Sequence, residues 1–130
     1  MKLIATIARY LLGFVFTLFG LNGFLHFLPN PPLPDGAAGH FISALSESHY
    51  MILVFAIEVI GAVLLLVNRY VPLALTLLAP IIVNIVLFHL FMLPTGLPMA
   101  IITSILWFVI AYEVRSCFAG LFQHRVPPAT

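Results

Sequence analysis

Five residues able to hydrogen-bond or carry a proton lie inside stretches that are otherwise apolar. They are Asn22, His26, Glu58, Asn84 and His89. A carboxyl and an imidazole give and take protons, and a carboxamide holds a carbonyl or hydroxyl with a donor and an acceptor. Together they suit a pocket that orients a small polar headgroup and moves a proton on it. A second reading is a saturated hydrogen-bond network that ties helices together. A third is a metal or haem site. Two His and one carboxylate are a permissible ligand set, but their spacing matches no ligand motif and nothing specifies a porphyrin slot. Neither metal nor haem is expected. The lone Cys117 excludes dithiol chemistry and an internal disulfide.

The elements that must hold these residues follow from composition. Hydrophobic residues make up 63% of the 130, and only nine residues are charged, five basic and four acidic. Soluble domains are roughly 45–50% apolar and about 25% charged. Nine charges cannot clothe a soluble surface, and apolar dominance excludes disorder. A net charge of +1 gives no footprint for nucleic acid.

Four runs are long enough to cross a bilayer, about 20 residues each: 3–28, 50–67, 71–93 and 97–119. They are apolar all round and do not alternate, so helices are expected rather than strands. The fold class is therefore an all-α membrane protein, a single four-transmembrane-helix antiparallel bundle. The first run is expected to be retained rather than cleaved, because Arg9 interrupts it and no small-x-small site follows before Pro29.

Lys2, Arg9, Arg69, Arg115 and Arg125 all fall on one side of this topology, and the loop 29–49 carries no Lys or Arg. The positive-inside rule makes that side cytoplasmic, with both termini. In the outer loop, Pro29-Asn30-Pro31-Pro32-Leu33-Pro34 stops the first helix. Beyond Asp35-Gly36, the spacing of Ala37, Ala38, Phe41, Ile42 and Leu45 predicts a short amphipathic helix on the outer membrane surface.

Depth sorts the polar residues into one outer slab. From the outer ends, His26 lies ~3 Å deep, His89 ~6 Å, Asn22 ~9 Å, Glu58 ~12 Å and Asn84 ~13 Å. Thr103 and Ser104 join them at ~9–10 Å. Asn22 and His26 share a helix face. Asn84 and His89 diverge by about 140° unless Pro80 distorts the helix. An unpartnered Glu58 is costly as an anion, so a neutral acid that donates a hydrogen bond is expected, unless His26 or His89 holds it ionised. At the other end, Arg9 and Glu113 reach similar depths and are expected to form a structural ion pair, unless Glu113 pairs with a flanking Arg; the first pairing makes the first and fourth spans neighbours.

The stretch Phe19-Gly20-Leu21-Asn22-Gly23-Phe24-Leu25-His26-Phe27 resembles the first-helix motif of DoxX-like membrane proteins. Glu58-Val59-Ile60-Gly61-Ala62-Val63-Leu64-Leu65 resembles their second helix. Pro80-Ile81-Ile82-Val83-Asn84-Ile85-Val86-Leu87-Phe88-His89 is similar to their third. The resemblance covers nearly the whole chain. It implies a bacterial inner (plasma) membrane protein linked to membrane redox systems, such as thiosulfate:quinone oxidoreductase subunits and complexes with superoxide dismutase. Wider relatives include assembly chaperones and cargo receptors. Asn22, Glu58, Asn84 and His89 match recurrent polar positions of the family, which supplies no catalytic set to carry over.

The functional expectation is an outward-facing intramembrane pocket for a quinone-like or lipidic molecule. The chain would act at most as an accessory or quinone-linked oxidoreductase subunit, with a membrane or periplasmic redox partner protein. The alternative is a non-enzymatic assembly protein whose polar cluster is structural. A third is small-solute transport by a homo-oligomer.

Overall fold

The computed structural model describes residues 1–129. Among the described residues every regular element is helical. The helices are α1 (Lys2–Leu25), α2 (Ala37–Glu47), α3 (Tyr50–Leu66), α4 (Val71–Phe91) and α5 (Leu97–Glu113). Two 3-10 segments, Pro94–Gly96 and Arg115–Phe122, flank α5.

The breaks have local causes. The chain leaves α1 at His26, which takes the left-handed conformation (φ 52°) while its N–H donates to the Asn22 carbonyl. The Asn22 side chain then accepts from the Leu28 N–H at 2.7 Å. The proline run follows and cannot re-enter a helix. Gly36, at φ 71°, turns the chain into α2. Asn68 (φ 55°) and Tyr70 (φ 52°) make the tight α3–α4 connection. The fourth apolar run was expected to stay helical to 119, but α5 ends at Glu113. Ser116, Cys117 and Gly120 are weak helix formers, and the chain tightens into a 3-10 segment there.

Helix α1 packs on α3 and α5, and α4 packs on the same two, so α1, α3, α4 and α5 close a four-membered ring. The first and last long helices are neighbours, as expected. Their neighbourhood does not rest on Arg9 and Glu113. Arg9 is buried, and its guanidinium donates to the carbonyls of Leu65 and Leu66 at the end of α3. It also stacks on the Tyr10 ring. Arg115 bonds the Tyr112 carbonyl. Among the described residues neither arginine pairs with Glu113. The correction has a simple cause: the last carbonyls of a helix lack intrahelical donors, and those of α3 lie closer to Arg9 than the carboxylate does.

The core lies toward the end that carries Lys2, Arg69 and Arg115. Leu12, Ala62, Leu65, Ala74, Leu75 and Leu78 are fully enclosed there. Trp107 Nε1 donates to the Leu75 carbonyl at 2.9 Å, stapling α5 to α4. Gly20 lets α1 approach α3 closely, since a Cβ there would stand 2.8 Å from Val59 Cγ2 and 3.2 Å from Glu58 Cβ.

The outer faces of the long helices are largely apolar. Ile7, Phe14, Leu53, Val83, Ile105 and Phe108 are each at least half exposed. Helix α1, helix α4 and the segment Pro94–Glu113 are long and apolar enough to cross a membrane. Helix α3 has 17 residues, or ~26 Å, a little short of a ~30 Å hydrocarbon layer. Helix α2 meets it at 85°, and the bent pair supplies a fourth candidate span. The architecture is compatible with a multi-pass membrane protein.

Candidate functional site

Away from the core, at the end of the bundle where α2 lies, packing opens into two cavities. The larger, a side cavity of about 360 Å³, is walled by α2, α3 and α4. Phe41, Ile42 and Leu45 of α2 roof it, and Phe41 stacks on Phe88 of α4 with centroids 5.7 Å apart. Neither α1 nor α5 contributes a lining residue. The cavity therefore lies on the α3–α4 flank of the ring. Its lining includes Leu53, 58% exposed, and the exposed Pro80 and Asn84, so it opens sideways onto the apolar outer surface. The sequence suggested an opening toward the loop end; α2 covers that route.

The smaller cavity, about 220 Å³, is central and is lined from α1, α3, α4 and α5. Glu58, Ile85 and His89 line both cavities. These three side chains are the partition between the flank and the middle of the ring.

Of the five residues singled out by type and spacing, the side cavity gathers three: Glu58, Asn84 and His89. Asn84 and His89 meet the same space although they sit five apart on α4. A cavity wide enough to be reached from two sides of the helix removes the need for one face. Asn22 and His26 line neither cavity. Asn22 is half-buried and spent on the α1 exit, and His26 is exposed as the left-handed cap itself. Ending a helix calls for acceptors and donors of its own, and here that need claims both residues. Thr103 lines the central cavity, but its hydroxyl and that of Ser104 donate to the Ala100 carbonyl, 2.9 Å and 2.8 Å away. They add little free hydrogen-bonding capacity.

The remaining polar atoms are differently placed. Glu58 is 7% exposed, yet its carboxyl makes no hydrogen bond among the described residues. No sealed side-chain nitrogen or oxygen lacks a partner among those residues either. The Glu58 oxygens therefore open onto the cavities it lines. His89 Nδ1 is 2.9 Å from the Leu93 carbonyl in the turn after α4, and no bond joins His89 to Glu58. The ring rests on Gly96, where any Cβ would collide with it.

Several members of this site carry no signal of chemistry in the sequence. Gly96 reads as a turn residue, yet it makes room for the His89 ring. Ile57 and Ile85 read as generic span residues, yet they form cavity wall. The helical spacing of Phe41, Ile42 and Leu45 was the available clue to the roof.

Among the described residues no group of three His, Cys, Asp or Glu side chains is arranged to hold a metal ion. Comparison of the chain with protein-family models, with curated proteins and with solved structures finds no match. The chemistry of the site rests on its own residues.

Proposed function

We propose that this is a DoxX-like multi-pass protein of a bacterial inner membrane. In this reading it binds a lipophilic redox headgroup of the quinone class in the side cavity, alone or as the membrane subunit of an oxidoreductase complex. One observation carries the proposal. An apolar cavity of about 360 Å³ is broken by three polar side chains, and one of them is a buried carboxyl with no partner among the described residues. Ligand pockets are commonly ~300–1,000 Å³, mostly apolar, with a few placed polar groups. At the low end of that range the cavity suits a ring headgroup, and its sideways mouth suits a tail left in the hydrocarbon.

In this reading α2 lies on the outer membrane surface and both termini are cytoplasmic, as the sorted basic residues require. Glu58 and His89 hydrogen-bond the headgroup and exchange its proton, and Asn84 orients it. Cys117, the single cysteine and an exposed one, reports the topology. A membrane-impermeant thiol reagent should label it in inverted vesicles and not in intact cells.

The binding test is calorimetric titration of the detergent-solubilised protein with a decyl-tailed benzoquinone. Saturable binding is expected, weakened a few-fold by Glu58→Gln, because a neutral carboxyl O–H donates to a quinone carbonyl more strongly than an amide N–H does. Absence of saturable quinone or lipid binding in wild type and variant alike overturns the proposal.

A further inference from the structure

The hydrogen-bond pattern around His89 narrows the headgroup further, given the pocket reading above. A carbonyl oxygen only accepts, so the 2.9 Å contact between His89 Nδ1 and the Leu93 carbonyl puts the ring hydrogen on Nδ1. In the neutral imidazole Nε2 is then a bare acceptor. Nothing among the described residues donates to it and it is not sealed, so its lone pair is free for a partner from outside the fold, and His89 lines both cavities. Gly96 beneath the ring and the Phe88 ring edge-on to it, centroids 5.1 Å apart, hold that orientation.

We propose that the site selects a lipophilic hydroxyl compound, a phenol or hydroquinone headgroup, over a quinone or a methyl ether of the same shape. A hydroxyl has both characters the site asks for. Its hydrogen goes to His89 Nε2, and its oxygen keeps lone pairs for a donor of the same lining, Glu58 or Asn84. A quinone carbonyl brings lone pairs and no hydrogen. It leaves Nε2 unpaired in an apolar enclosure, a larger loss than the gain of one ordinary bond. Binding involves no covalent or redox step; the hydroxyl hydrogen is shared with Nε2.

The test titrates the purified protein with para-decylphenol, its methyl ether and a decyl-tailed benzoquinone. The phenol is expected to bind about tenfold more tightly than either of the others, and the preference should vanish in His89→Phe. Nitrogen NMR of ring-labelled wild-type protein gives a second readout, independent of any variant's folding. It should show Nδ1 protonated and Nε2 bare. Equal binding of phenol and ether, tighter binding of the quinone, or a protonated Nε2 overturns hydroxyl selection while the pocket stands. Failure of all three probes to bind overturns the pocket reading together with this one.

Discussion

The two ends of the helical ring treat buried polar groups in opposite ways. At the end bearing Lys2 and Arg69, Arg9 is 8% exposed and Trp107 half-buried, and both donate to main-chain carbonyls of neighbouring helices. Leucines and alanines pack solidly around them. At the α2 end, Glu58 is as buried as Arg9 but has no partner among the described residues, His89 uses one ring nitrogen of two, and two cavities remain. A polar group whose capacity is met inside the fold is holding the fold together. One whose capacity faces an enclosed space is available to something that enters it. Burial alone does not distinguish the two; the hydrogen-bond inventory does.

Four substitutions would break or sharpen this contrast. The largest loss of stability is expected at the packed end. Leu75→Ala should cost about 2–5 kcal/mol in reversible unfolding in detergent, because the fully enclosed side chain leaves a void. Arg9→Ala comes next, at about 1.5–3 kcal/mol, the scale of a hydrogen bond from a charged group. A negligible effect would place Arg9 with the unused groups. Asn22→Ala should cost about 1 kcal/mol through the lost bond to the Leu28 N–H, with ligand affinity unchanged. A marked loss of binding would return Asn22 to the site. The smallest change in stability, under about 1 kcal/mol, is expected for Glu58→Gln, which removes no protein–protein bond. Its effect should fall on binding. Strong destabilisation there would mean that the α2 end is a structural network after all.

Much of the frame was legible from composition and spacing. Apolar runs and the proline stop after α1 need only local chemistry, and they set the helices and their breaks. The depth count also placed Glu58, Asn84 and His89 in one outer slab, because rise per residue is a constant of the helix. Rotation about the helix axis and the identity of neighbours are not set by height. Arg9 and Glu113 share a depth but not a contact, since the carbonyls ending α3 reach the guanidinium first. Asn22 and His26 share a helix face with each other, but that face closes α1 and lines neither cavity.

The sequence by itself determined that the chain is helical and apolar on its outside, because 63% hydrophobic residues and nine charges permit little else. It also singled out Glu58 as the carboxyl inside the apolar runs with no Lys or Arg at its own depth. Only the tertiary structure decided which polar groups stay unsatisfied. That depends on where α2 folds back across the α3–α4 seam, on the room Gly96 leaves for the His89 ring, and on which carbonyls lie within a hydrogen bond of each donor. These are distances between residues far apart in the chain, and they arise when the helices pack.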